Sequence, residues 1–156
     1  MRSVVTSCEY AKDTRQSNID NIMTNSFNLQ NMENLGLVHV VDDDEQIRNV
    51  VGIILGRSGY TVAMHESAMA YLAHAHEPQR EIMVLDIRMP GMSGIELHER
   101  LIEQGQQMPT IFMSGEYHPH DLDVIEALGC VEFLNKPFGM RQLLNAVEKA
   151  FALISP

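Results

Sequence analysis

A doubly wound α/β sandwich, a parallel sheet covered on both faces by helices, is the fold this sequence predicts. Short runs of branched apolar residues alternate with stretches whose apolar residues recur at helical spacing. The alternation repeats five times with short links, the pattern of strand–helix units rather than of separate strand and helix domains. The first run, 37–41, is β-branched and suited to a buried strand.

Each element can be justified in turn. Leu37-Val38-His39-Val40-Val41 is the first strand, and Ile47, Val50, Val51, Ile54 and Leu55 carry the first helix, with Gly59 where a helix would end. Tyr60–Met64 is the second strand. Ser67 is a cap for a helix running to about His76, before the stop at Pro78. Ile82–Leu85 is the third strand and Ile95–Glu103 the third helix. Thr110–Met113 is the fourth strand; Leu122, Ile125 and Leu128 mark a fourth helix ending near Gly129. Val131–Leu134 is the fifth strand. Met140, Leu143, Leu144, Val147 and Phe151 form the strongest helical stripe in the chain.

Composition narrows the function. The 156 residues suit one compact domain with an appendage, and 45% hydrophobic with 21% charged is ordinary for a globular chain. No apolar run reaches the roughly 18–20 residues that span a bilayer, and Met1–Tyr10 lacks a secretory signal's apolar segment. A net charge of −10 repels phosphate backbones and anionic lipid, which argues against nucleic acid or membrane as partners. Cys8 and Cys130 make no disulfide framework, so a cytoplasmic location is expected.

Residues 1–35 read as a separate N-terminal extension and 36–156 as the domain. The extension holds six asparagines, no glycine or proline, and only −1 of the charge. Ile19, Ile22, Met23 and Phe27 fall at helical spacing without a strong cap. A mobile tail, a helix formed on contact, and a true start at Met32 all stay open.

In a doubly wound sheet ligands bind beyond the carboxyl ends of the strands. Asp42, Asp43, Asp44 and Glu45 follow the first strand, Asp86 the third, Ser114 the fourth, and Lys136 the fifth. Clustered carboxylates raise one another's pKa and call for a cation; oxygen donors suit magnesium. With a lysine and a hydroxyl able to bond phosphate oxygens, the rim suits phosphoryl transfer to a carboxylate. Asp44 and Glu45 have a plainer reading as helix cap and first-turn acid. Asp86 does not, because no helix begins until Gly94.

The strings VHVVDDDEQIR, VLDIRMPGMSGIEL, IFMSGE and VEFLNKPF make Leu37 to about Ala152 resemble a response regulator receiver domain of two-component signalling, of the FixJ type. The resemblance implies a flavodoxin-like, five-stranded parallel sheet in the order 2-1-3-4-5 with five flanking helices. It implies Asp86 as phosphoacceptor, with Mg held by Asp42, Asp43, Asp86 and the backbone carbonyl of Arg88; Asp42 would act mainly through a metal-bound water. Ser114 and Lys136 would bond phosphoryl oxygens, Phe133 would be the aromatic switch, and Lys136–Pro137 would be a cis peptide.

The resemblance further implies a histidine kinase or phosphotransfer protein as phosphodonor, and a downstream protein reading the surface of the fourth helix, fifth strand and fifth helix. A phosphorylation-dependent homodimer would use the fourth and fifth helices. With its end at Pro156, the chain is expected to be a single-domain regulator, not an enzyme beyond its own phosphorylation and dephosphorylation. The alternatives are a receiver cut from a longer FixJ-type DNA-binding factor and a phosphorylation-independent binding module. A phosphatase resembling the haloacid dehalogenases needs a second acid two residues after the nucleophile, where Arg88 stands.

Arg88 and Glu116, each two residues beyond a site residue, are expected to overlook the phosphate and pair across its mouth as a gate. His74 and His76, at i and i+2 on a helix, point apart and make poor joint metal ligands. His118 and His120 flank Pro119 and face solvent or a partner.

Overall fold

The computed structural model describes residues 34–75 and 79–154. The expected extension, His76 and the stop at Pro78 therefore lie outside the described residues. Five parallel strands, β1 (Leu37–Val41), β2 (Thr61–His65), β3 (Glu81–Asp86), β4 (Thr110–Ser114) and β5 (Glu132–Asn135), form one sheet in the order β2-β1-β3-β4-β5. Five helices alternate with them: α1 (Glu45–Arg57), α2 (Ala68–Leu72), α3 (Gly94–Glu103), α4 (Pro119–Ala127) and α5 (Met140–Ala152). The predicted fold class and strand order both hold.

Period-two alternation splits each central strand between two cores. Val38, Val40, Ile82, Val84 and Ile111 pack with Val51, Leu55, Leu143 and Val147 on the α1–α5 face. Val41, Met83, Leu85 and Phe112 pack with Tyr71, Leu97, Leu101 and Ile125 under α2, α3 and α4. The wholly buried β1 and β4 contrast with the edge strand β2, which is buried only at His65.

The end of α1 explains why β2 begins later than predicted. At the end of α1 the Gly59 amide bonds Gly56 O and the Tyr60 amide bonds Leu55 O, each at 3.2 Å, with Gly59 at φ 93°. This Schellman closure consumes the Tyr60 amide, so β2 starts at Thr61. The end of α4 repeats it: Gly129 bonds Glu126 O at 3.1 Å and Cys130 bonds Ile125 O at 2.9 Å. β5 spans Glu132–Asn135, one residue on from the predicted Val131–Leu134, although the Val131 amide already bonds Thr110 O of β4 at 2.9 Å. The second helix is much shorter than predicted, stopping at Leu72 instead of running to His76. Ser67 caps it through the Ala70 amide, but beyond Ala73 the chain turns so that His74 sets its ring against His39 and His65.

Candidate functional site

The rim residues come from the carboxyl ends of four strands. Asp42 directly follows β1 and is fully buried, its amide bonded to the His65 carbonyl at 3.2 Å. Its Oδ1 accepts the Asp44 amide at 2.9 Å, and its own carbonyl accepts Arg48 Nη1 at 2.7 Å. Asp44 is the α1 cap, accepting the Gln46 and Ile47 amides at 2.8 and 3.4 Å. Asp43 between them is exposed. Asp86 ends β3 and is 4% exposed. Ser114 ends β4, and Lys136 follows β5 with its amide on the Ser114 carbonyl at 2.9 Å. The Lys136–Pro137 peptide is cis.

These groups meet. One oxygen each from Asp42, Asp43 and Asp86 lies within 4.8 Å of the others. Lys136 Nζ donates to Asp42 Oδ2 at 2.6 Å and stands 3.4 Å from Asp86 Oδ1. Burial, and after it the Asp42 charge, push the Asp86 carboxyl up from 3.8 to about 6; Lys136 and the Arg88 amide oppose that rise. Three carboxylates against one ammonium, with Asp42 and Asp86 buried, leave an excess of negative charge. That excess and the all-oxygen donor set fit a hydrated divalent cation such as Mg2+.

The Ser114 hydroxyl donates to the Glu116 carbonyl at 2.6 Å and accepts the Glu116 amide at 3.3 Å. Glu116 thus engages the site through its backbone. Phe133 is half-buried, its ring edge-on to Tyr117 at 4.8 Å, in the loop that carries Glu116.

The expected Arg88–Glu116 pair is corrected by the structure. Arg88 donates to Asp121 Oδ2 in the first turn of α4, and the same oxygen accepts the His118 amide at 2.7 Å. The reason is local: Asp121 is the α4 capping-box acid and faces the β3–α3 loop, so a fixed carboxylate already lies within reach of the guanidinium.

Sequence reasoning passed over Asp121, although Pro119 followed by an acid two residues later is a readable helix start. It used Gly94 only as the start of a helix. A Cβ at Gly94 would lie 2.1 Å from the Asp86 carbonyl oxygen, so glycine there lets α3 begin against the backbone of Asp86.

Residues 38–148 match the protein family described as response regulator receiver domain. The chain is 38% identical over 114 residues to the transcriptional regulatory protein FixJ of Rhizobium meliloti strain 1021, covering 72% of this chain and 55% of that protein. The solved structure of FixJ-N is similar with a TM-score of 0.70 and 34% identity, covering 77% of this chain and 96% of that one. Vibrio cholerae chemotaxis protein CheY4 is similar at a TM-score of 0.65 and 26% identity, covering 74% of this chain and 98% of that one. The chain spans about half the length of the curated relatives it matches, 55% of the R. meliloti protein and 52% of the FixJ of Azorhizobium caulinodans.

Proposed function

This chain belongs to the response regulator receiver domain family of two-component systems, and on that premise we propose that it takes a phosphoryl group on Asp86 from a histidine kinase or phosphotransfer protein. One observation carries the reading: a buried carboxylate at the end of β3 with an ammonium 3.4 Å away and two further carboxylates within 4.8 Å. Membership of the family implies a histidine kinase partner. No helix among the described residues is long and apolar enough to cross a membrane.

In the proposed reaction an Asp86 oxygen attacks the phosphorus of a phosphohistidine in line with the leaving imidazole; the O–P bond forms as the P–N bond breaks. Asp42, Asp43 and Asp86, with the Arg88 backbone carbonyl, would hold Mg2+, which when bound neutralises charge on the phosphoryl oxygens. Lys136, already between Asp42 and Asp86, offers its protons to a phosphoryl oxygen. Ser114 offers its hydroxyl by leaving the Glu116 carbonyl.

Exchange of that 2.6 Å hydrogen bond frees the loop on which Tyr117 rests against Phe133. The Phe133 ring then turns inward, and the α4–β5–α5 surface changes for a downstream protein. The side-chain tie from Arg88 to Asp121 supports a second route from the phosphate to α4, replacing the gate expected from sequence. In this reading residues 36–156 are the receiver, residues 1–35 are an extension, and the protein acts in the cytoplasm through protein contacts, without a nucleic-acid surface in the receiver.

The test is intact-mass measurement after incubation with acetyl phosphate and Mg2+. One added phosphoryl group is expected on the natural sequence, and none without Mg2+ or in Asp86→Asn. No adduct on the natural sequence, or one that survives Asp86→Asn, overturns the reading.

A further inference from the structure

We propose that the β2 edge of the sheet is a self-pairing surface: two copies of this chain join antiparallel through Thr61–His65, about a two-fold axis at Ala63. β2 ends the sheet on the side opposite β5 and pairs only with β1 among the described residues. The Thr61 amide bonds the Gly36 carbonyl at 3.0 Å, and the His65 carbonyl accepts the Asp42 amide at 3.2 Å. The backbone groups of Thr61, Ala63 and His65 therefore point towards β1. Those of Val62 and Met64 point outward, and nothing among the described residues bonds them.

Sheet edges are ordinarily guarded by charged residues, proline or a bulge that keep other strands away. The β5 edge follows that rule, with Glu132 tied to Lys149 Nζ at 3.0 Å. Thr61-Val62-Ala63-Met64-His65 holds no Asp, Glu, Lys, Arg or Pro, and no bulge interrupts its register with β1. The flank of α1 beside it is bare. A Cβ at Gly52 would lie 3.1 Å from Met64 Sδ, and one at Gly56, a turn further on, would meet nothing within 4 Å. Met64 itself is 51% exposed.

The occupant is a second copy because the strand is complementary to itself. With Ala63 opposite Ala63, each Val62 faces Met64 of the other copy, and such an outward-facing pair exchanges both backbone hydrogen bonds. Their side chains form an apolar cross-strand pair. The two alanines make the close, non-hydrogen-bonded pair at the axis, where Cα atoms approach to about 4.5 Å and a methyl group fits. No like charges meet along the paired strands, although each copy carries a net −10. Arg57 and Glu66 are exposed, have no ion pair among the described residues, and flank the strand at opposite ends. An antiparallel copy thus brings the Glu66 of each chain to the Arg57 end of the other. The paired strands run in opposite directions, so the two phosphoryl rims lie at opposite ends of the joined sheet and both stay open. Pairing is therefore independent of phosphate and Mg2+. The contact is small, in the transient class below about 1,200 Å2.

The test is sedimentation velocity on the full chain in EDTA, up to about 1 mM, beside cysteine cross-linking in a Cys8→Ser, Cys130→Ser background. The expected result is a monomer–dimer equilibrium weakened about tenfold or more by Met64→Lys, which sets like charges diagonally across the axis. Ala63→Cys is expected to form an intermolecular disulfide, because position 63 meets its own copy within the reach of an S–S bridge. Thr61→Cys, which faces His65 of the other copy, is expected to cross-link about tenfold more slowly or not at all. Circular dichroism checks the fold of each variant; if Met64→Lys does not fold, the comparison of positions 63 and 61 decides the matter. A chain that stays monomeric at the highest concentration, a dimer undiminished by folded Met64→Lys, or equal cross-linking at 63 and 61 overturns the proposal.

Discussion

Replacing Asp86 by Asn should stabilise the metal-free protein, and by an amount that depends on pH. In the fold the Asp86 carboxyl is held at about 6 instead of 3.8, chiefly by burial and then by Asp42. Between those pH values the folded chain binds more protons than the unfolded one, so this group's contribution to stability falls as pH rises. Below pH 4 it costs nothing; above pH 6 it costs about 3 kcal/mol, at 1.36 kcal/mol per pKa unit. Asn keeps the shape without the charge, and Lys136 keeps its 2.6 Å bond to Asp42. Urea denaturation in EDTA should place Asp86→Asn up to about 3 kcal/mol above the natural sequence at pH 8, a midpoint shift of about 1–2 M for m near 2 kcal/mol/M. The two should converge by pH 4. Mg2+ should narrow the gap at pH 8, because it stabilises only the protein that holds it in the folded state. Equal stability at pH 8, or a difference as large at pH 4, would refute the assignment of a desolvated, charge-crowded carboxylate to Asp86.

Two further substitutions probe the surroundings of the site. Gly94→Ala places a methyl 2.1 Å from the Asp86 carbonyl oxygen, so it should destabilise by about 1–3 kcal/mol and slow phosphorylation by acetyl phosphate; an unchanged urea midpoint would contradict this. Arg88→Ala should cost at most about 1 kcal/mol, since its side chain is 44% exposed. Asp121→Ala should cost more, because it also removes the acceptor of the His118 amide at the start of α4. Paired denaturation curves showing the reverse order would exclude Asp121 as the anchor of that helix.

How legible each part was in the sequence depends on the range of the forces involved. Strands β1, β3 and β4 stood out because burial on both faces makes their runs apolar, and α5 because its stripe at Leu143, Val147 and Phe151 is continuous. Asp42, Asp43, Asp86, Ser114 and Lys136 could be read as one rim because a parallel sheet brings every strand's carboxyl end to the same edge. The boundary of β2 differs from the sequence reading because Tyr60 gives its amide to the preceding helix; that closure competes with the ladder and leaves little mark on composition. Arg88 pairs with Asp121 and not with Glu116 because spacing along the chain does not say which loop faces which helix. Sequence proximity pairs His74 with His76. The fold instead sets His74 beside His39 and His65, 35 and 9 residues away in sequence, through strand pairing that no local pattern encodes.

The most direct test of Asp86 as phosphoacceptor is to find the phosphorylated atom. After acetyl phosphate and Mg2+, borohydride reduces an aspartyl phosphate to homoserine, which peptide mass spectrometry can place. Homoserine at position 86 alone is the predicted result; homoserine at 42 or 43, or none in a chain that carries the added mass, would contradict it.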